Sequence, residues 1–453
     1  MISTEELILN SPYILREMFI NLYGYYLSRK RFNKRFYQLL DNLMLNLQKT
    51  PGQIKSEQFE FLKDTLIQAY KNVPYYTEIF NQAGFNPFEF DNEKDLAKLP
   101  FLDKATIRKN FDKLQNPNYP SNELKLHTTS GSTGEKLKFY QPKDLTYTIN
   151  AAFMYRFYAL YEVKPKDRRV TIGGRRFTNK PPYWSYNRFE NQLLLSSHHL
   201  NNKTGQDYIQ KINEFKPVFI QGHPNSILYL ANLINNNKAK LTAPVKVIFT
   251  TGETLIEENR TKIELAFKTG VFQQYGSGES CFSAQETPER IGYMLNYEHG
   301  YVEMVGDGEY KEVIATSFQN KAMPFIRYRV GDLVRPVSVE KQKKYPFPYL
   351  FDEVLGRTDD ILFSENGDQI LPVAIRMIVK PYLSDNTNYQ ITQITLHDFI
   401  LKLIDYDKVI NVISLLKKLK QVIGDTAQIE IQYVDTLLTD GGKIRNVINK
   451  IGK

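Results

Sequence analysis

Apolar positions along this chain recur with the periods of strands and helices in alternation. Val218, Phe219 and Ile220 read as a strand. Residues 224–234 follow with Ile227, Leu228, Leu230, Ala231 and Ile234 on a helical period, and 245–249 form the next strand. Residues 256–268 are then helical, and Val271, Phe272 and Gln273 close the series. A β-α-β-α-β run of this kind predicts parallel strands joined by crossover helices. Ligands of such sheets gather at the carboxyl ends of the strands. Gln221-Gly222-His223, Thr251-Gly252-Glu253 and residues 275–279 lie at those ends.

Both ends of the chain carry other patterns. Residues 12–47 read as helix, with Phe19, Leu22, Tyr26, Phe36 and Leu39 set among Arg and Lys. The pattern predicts packing on the main domain through the apolar stripe, with the charges solvated; contact with a membrane surface is its second reading. After Arg357 a smaller unit begins. Residues 395–404 read as a strand, and Val409, Val412, Leu416, Leu419 and Ile423 step by three and four as one face of a helix. Asp407 is its candidate N-cap and Gly424 its end. Ile429, Ile431 and Tyr433 then alternate with polar residues as a further strand. The reading is an α/β chain: a large domain over 1–357 with mixed or parallel sheets, and a small α+β domain over 358–453.

Composition narrows the class. The 453 residues are 42% hydrophobic and 24% charged, which excludes a disordered or collagen-like chain. Lys plus Arg total 59 against 50 acids, a formal charge of +9. That excess is too thinly spread for a dedicated nucleic-acid binder, and no nucleic acid is expected. One cysteine, Cys281, rules out an intrachain disulfide and argues against a cysteine zinc site. No signal-peptide pattern and no membrane-length apolar run is present, so a cytoplasmic protein is expected.

Five short motifs carry candidate chemistry. Residues 127–136 read HTTSGSTGEK, where glycine amides and clustered hydroxyls suit phosphate oxygens, although Walker spacing fails at Lys136. Residues 274–280 read QYGSGES directly after a strand; Tyr275 can stack on a purine, and Glu279 can hold a divalent cation among phosphates. In RYRVGDL, 327–333, Asp332 can accept from two ribose hydroxyls or serve as an ordinary turn aspartate. In LGRTDDI, 355–361, Arg357 can contact phosphate or ribose, while Asp359 and Asp360 otherwise read as a solvated pair. Residues 439–443, TDGGK, present Lys443 on a two-glycine tip.

Together and in this order these motifs resemble the adenylate-forming ligases, the superfamily of acyl-CoA synthetases and peptide-synthetase adenylation domains. LPFLDK at 99–104, with Ile107 and Arg108, and GHPNS at 222–226 resemble its phenylacetate-CoA ligase branch, including relatives found with capsular polysaccharide genes. The resemblance implies ATP, Mg²⁺ and, as acyl acceptor, coenzyme A. It implies that Thr129, Ser130, Gly131, Ser132, Thr133, Gly134 and Lys136 hold the β- and γ-phosphates. Gly252, Glu253, Gln274, Tyr275, Gly276 and Ser277 would bind the nucleotide, with Tyr275 stacked near the adenine and Glu253 at the adenine site, and Asp332 and Arg357 would hold the ribose. Glu279 would bind Mg²⁺ and act with Lys443 in catalysis, and Asp359 would be the hinge of the small domain. Glu253 stands in TTGETL, where the branch commonly has Gly-Ala-Glu-Pro, so this sequence departs from the pattern there. The expected reaction activates a carboxylic acid with ATP and transfers it to a thiol. An amine or carrier-protein acceptor, a non-catalytic nucleotide-binding homologue, and a homodimer stay open. The aromatic segment 173–189, with the single Trp184, is part of an acyl or aryl pocket, core packing or an ordered surface loop. Arg168, Arg169, Arg175 and Arg176 are either a site for the 3′-phosphate of coenzyme A or a solvated face.

Overall fold

The computed structural model describes residues 8–451 apart from 130–136, 175, 346, 384–386, 406–408 and 438–443, and apart from the side chains of Asp359 and Val373. The expectations placed on Ser130, Gly131, Ser132, Thr133, Gly134, Lys136 and Lys443, on the side chain of Asp359, and on Asp407 as a helix cap lie outside the described residues.

One twelve-stranded mixed sheet organises the chain as far as Arg357. Its parallel centre is the predicted run: Phe219–Gly222, Val247–Thr251 and Val271–Gly276 lie side by side, with Arg169–Gly173 and Gln192–Ser196 continuing the parallel order outward. The crossover helices Pro224–Asn235 and Glu257–Phe267 cover one face, where Ile227, Leu230, Ile248 and Ile263 are fully buried. Beyond Val271–Gly276 the sheet turns antiparallel through Ser283–Glu286, Tyr293–Leu295, Tyr349–Arg357, Tyr328–Pro336, Lys311–Ser317 and Gly300–Val305. This half packs on the helix Pro51–Asn72 and the following segments through a second core that includes Leu62, Phe90, Phe282 and Tyr328.

The N-terminal stretch is two helices, α1 (Tyr13–Arg31) and α2 (Lys34–Asn46), broken at Phe32 and Asn33, whose side chain caps α2 by accepting from the Phe36 amide. Inward packing of the apolar stripe holds for α2, which buries Phe36, Leu40 and Leu43. It fails for α1. The residues of α1 fully buried against the body are Arg16, Gly24 and Ser28, with Ile20 and Leu27 half-buried beside them, while Ile14, Met18 and Leu22 face outward. The cause is the edge strand Trp184–Asn187 and its flanking loop, which offer α1 carbonyls and hydroxyls rather than apolar surface. The Arg16 guanidinium donates to the Ser185 hydroxyl at 3.2 Å, to the Lys180 and Pro182 carbonyls at 3.0 and 2.5 Å, and to Thr178.

A separate core lies between Leu362 and Val447. Its sheet runs in the order Gln428–Tyr433, Asp398–Ile404, Asn388–Gln393, Val447–Asn449. The helix between Asp398–Ile404 and its parallel neighbour Gln428–Tyr433 is Val412–Ile423. It starts later than its apolar spacing predicted because the Asn411 side chain caps it, accepting from the Ser414 amide. Val409 is therefore outside the helix and half exposed, whereas Leu415, Leu419 and Ile423 are fully buried. The strand predicted from 395 begins at Asp398, since the Thr395 hydroxyl ties the preceding turn to the Asp398 amide at 3.0 Å.

Candidate active site

The carboxyl ends of the parallel strands and the long antiparallel strand Tyr328–Pro336 bring the candidate side chains together. Tyr275 ends its strand with the ring set edge-on to Phe282, Tyr293 and Phe351, and its hydroxyl donates to Asp332 Oδ2 at 2.9 Å. Burial, and then the Asp332 carboxylate, raise the Tyr275 pKa well above the ordinary tyrosine value, so the hydroxyl remains a donor. Arg357 stands directly opposite Asp332 in the strand register and approaches Oδ1 at 3.5 Å. Gly331, at φ +80°, turns the backbone before Asp332; a Cβ there would lie 3.0 Å from the Arg357 guanidinium. A carboxylate has about four acceptor positions. Tyr275 and Arg357 both bear on the Asp332 carboxylate.

Glu279 follows the same strand, in the turn where the Ser280 amide donates to the Ser277 carbonyl at 3.1 Å. Its carboxylate is buried and accepts from the Tyr328 hydroxyl at 2.8 Å, and its carbonyl accepts from Gln141 at 3.0 Å. Burial and the Glu279 charge push the Tyr328 hydroxyl far up, so Tyr328 is a fixed donor. Tyr328 was not assigned a role from sequence, although it stands in the same RYRVGDL run as Asp332. The signal was its place on that strand, four residues before the aspartate. The LPFLDK segment meets the strand at the same point: Leu102 bridges to Tyr328, receiving the Arg329 amide at 2.9 Å and donating to the Arg327 carbonyl at 3.0 Å. A Cβ on Gly276 would meet the Phe282 carbonyl at 2.9 Å, so the turn carrying Ser277 closes only with glycine there. Ser277 Oγ accepts from the Cys281 amide at 2.9 Å. The Gln274 backbone pairs with Thr251 and Gln285.

Glu253 is the second acidic hub. Gly252 precedes it at φ +82°. The Glu253 carboxylate accepts from the Asn225 amide and side chain at 3.2 and 3.0 Å, lies 3.8 Å from His223 Nδ1, and accepts from the Ile444 amide at 2.8 Å. GHPNS and TTGETL therefore meet at Glu253, and the C-terminal unit touches that carboxylate through the residue that follows Lys443. In the sequence, Asn225 and His223 stand out only as part of the GHPNS motif. Asp360 is not a solvated residue: it pairs with Arg445 and is largely buried.

Thr129 closes the base of the glycine-hydroxyl loop. Its amide donates to the Leu137 carbonyl at 2.9 Å, continuing the hairpin of Leu124–Thr128 with Lys138–Pro142. Trp184 lies on the outermost strand, five positions from Val271–Gly276 in the sheet, on the order of 24 Å at normal strand spacing, and it packs against the core of the parallel strands, which is the packing alternative left open for 173–189. One other expectation is corrected. Arg169 is buried and bonds Glu190, which also holds Arg31 at 2.5 Å, so it belongs to no solvated face. No group of three or more His, Cys, Asp or Glu able to hold a metal occurs among the described residues. A single carboxylate supplemented by phosphate oxygens is a normal Mg²⁺ setting, and Glu279 fits it.

No protein-family model matches the chain. Among curated proteins it is 29% identical to Protein CapK of Staphylococcus aureus over 98% of both chains. It is 24% identical to the phenylacetate-coenzyme A ligase of Pseudomonas putida, covering 88% of this chain and 94% of that one. Among solved structures it is similar to a 2-hydroxyisobutyryl-CoA ligase in the postadenylation state in complex with R3-HIB-AMP. That match has a TM-score of 0.65 at 17% identity, over 86% of this chain and 88% of the other. At that identity the likeness is one of fold.

Proposed function

This chain is a homologue of CapK and of the phenylacetate-coenzyme A ligases with the fold of the adenylate-forming ligases, and from that premise we propose that it activates a carboxylic acid with ATP and passes the acyl group to coenzyme A. One observation carries the reading: Tyr275, Asp332 and Arg357 converge by hydrogen bonds, on the strand that also presents Tyr328 to Glu279. Asp332 would take the ribose hydroxyls, with Arg357 beside it, and Tyr275 would lie against the base. The loop 129–136 would receive the β- and γ-phosphates.

In the first step a carboxylate oxygen attacks the α-phosphorus and pyrophosphate leaves, giving an acyl-adenylate. Such transfers depend on positioning and charge compensation more than on covalent chemistry. Mg²⁺, when bound, would be held by Glu279 and would offset phosphate charge. Tyr328 keeps that carboxylate oriented. Lys443 would compensate charge between the incoming carboxylate and the phosphate; its chain neighbour Ile444 already reaches Glu253 at the strand ends, which supports the assignment. In the second step the unit from Thr358 onward would turn about Asp359, withdrawing Lys443 while a thiolate attacks the acyl carbon and AMP leaves.

The test is carboxylate-dependent exchange of labelled pyrophosphate into ATP over aromatic, fatty, hydroxy and amino acids, followed by presentation of coenzyme A, amines and carrier protein to the adenylate formed. Exchange with one acid class, and thioester formation with coenzyme A, is the expected result. Nucleotide binding without exchange across the panel would overturn the enzymatic reading, and amide formation without thioester would reassign the acceptor.

A further inference from the structure

The reaction leaves α1 unused, and α1 is packed inside out. Toward the body it sets mainly polar and small groups, with Ile20 and Leu27 half-buried beside them: Arg16 on the Trp184–Asn187 strand and its flanking loop, Asn21 donating to the Tyr186 carbonyl at 2.9 Å, and Gly24, whose Cβ would lie 2.2 Å from the Asn187 side chain. Toward solvent it sets Ile14, Met18 and Leu22, at 74, 56 and 65% exposure, flanked by Leu15, Phe19 and Tyr26. These six positions fall on one half of the helix circumference, a continuous apolar strip along a helix of about 28 Å. An isolated exposed leucine needs no explanation, but a strip of this length does.

Charge identifies what covers it. Arg29 and Lys30 continue the strip at its C-terminal end, with Lys34 exposed beyond them. Lys125 joins them, 4.9 Å over the Tyr147 ring, which itself meets Tyr26. The acid of α1, Glu17, is turned inward to the Tyr186 amide at 3.2 Å. A second copy of the chain laid on this face would bring further cations and no carboxylate from α1 to meet them. An anionic bilayer supplies the opposite charge, and Tyr23, Tyr25 and Tyr26 have the amphipathic rings that suit a headgroup layer. We propose that α1 docks the protein on an anionic lipid surface, lying in the headgroup plane with Ile14, Met18 and Leu22 inserted and Arg29, Lys30, Lys34 and Lys125 on the lipid charges. No helix among the described residues is long and apolar enough to cross a membrane, so the attachment is peripheral. The proposal is independent of the reaction assigned above.

The full chain is sedimented with vesicles of phosphatidylglycerol and phosphatidylcholine, and with phosphatidylcholine alone. Binding is expected to the anionic vesicles and to weaken with added salt. Met18→Gln with Leu22→Gln should lower partitioning about tenfold or more, and Lys30→Gln with Lys34→Gln about fivefold per cation removed. These side chains are exposed, so thermal unfolding of the variants should match the parent. Because Cys281 is buried, a polarity-sensitive fluorophore can be placed on Leu22→Cys alone; its emission should shift to the blue on anionic vesicles and stay unchanged on neutral ones. Absence of binding to anionic vesicles, or binding that the α1 variants leave unaltered, would overturn the proposal. A solution dimer that Leu22→Gln dissociates, with no vesicle affinity, would overturn it in favour of a contact between copies.

Discussion

Glu279 is a carboxylate whose orientation depends on one hydroxyl. With Tyr328 removed as Tyr328→Phe, the carboxylate loses its 2.8 Å donor but keeps its charge. The expected result is an apparent Mg²⁺ affinity about tenfold weaker with a recoverable maximal rate, read from a magnesium titration of pyrophosphate exchange. Glu279→Gln should instead lose the magnesium-dependent rate at every concentration, and an unaltered titration would remove Glu279 from the site. A different single-residue effect comes from His299, which is buried against Phe153 with centroids 4.4 Å apart and shares a 2.8 Å hydrogen bond with Ser283. Burial and then Arg156 lower its pKa to about 3 from 6.5. The folded protein therefore holds His299 neutral where the unfolded chain protonates it. This contribution is complete above pH 6.5 and declines as pH falls toward 3, by about 1.4 kcal/mol per pH unit. Melting temperatures recorded downward from neutral pH should fall, and His299→Gln should flatten that part of the curve.

At the scale of the element, α1 is held by polar groups rather than by a core. Arg16 is fully buried, and its partners are hydroxyls and carbonyls of the edge-strand region. Arg16→Met would take the Arg16 donor from the buried Ser185 hydroxyl and from the Pro182 carbonyl, while the Lys180 carbonyl keeps the Thr178 hydroxyl, a loss of about 3 kcal/mol. Gly24→Ala would drive a methyl group into Asn187, which is itself buried, and should cost about 1–3 kcal/mol. Thermal or urea unfolding measures both. Leu22→Ser on the opposite face should leave the melt within experimental error, since that side chain is largely exposed. This contrast separates what secures the helix from what the helix presents.

At the scale of the whole molecule, the C-terminal unit with its own core is joined to the parallel-strand edge by the Ile444 amide on Glu253 and by Lys380 on Glu258 at 2.5 Å. The second is an exposed ion pair, worth about 0–1 kcal/mol, which a domain rotation can release. Lys443 belongs to that unit in the chain. Lys443→Ala is expected to abolish adenylate formation while sparing thioester formation from a supplied acyl-adenylate. Single-turnover assays of the two half-reactions distinguish this from equal loss in both, which would point to misfolding, and from no loss in either, which would remove Lys443 from catalysis.

The alternation of strand and helix over 217–275, the helix of the C-terminal unit and the candidate motifs were readable in the one-dimensional pattern. Periodicity and glycine placement are local properties, and the parallel strands and the turn at Gly276 follow from them. Pairings between distant segments were not readable. Tyr328 on Glu279, Arg445 on Asp360 and Ile444 on Glu253 join residues 49, 85 and 191 positions apart. No local spacing encodes such a contact. In the sequence, which way the apolar face of α1 turns stays between two readings for the same reason. An amphipathic pattern states that a helix has two faces; which one turns inward depends on the surface it meets, and here that surface is a polar sheet edge more than 150 residues away in the chain.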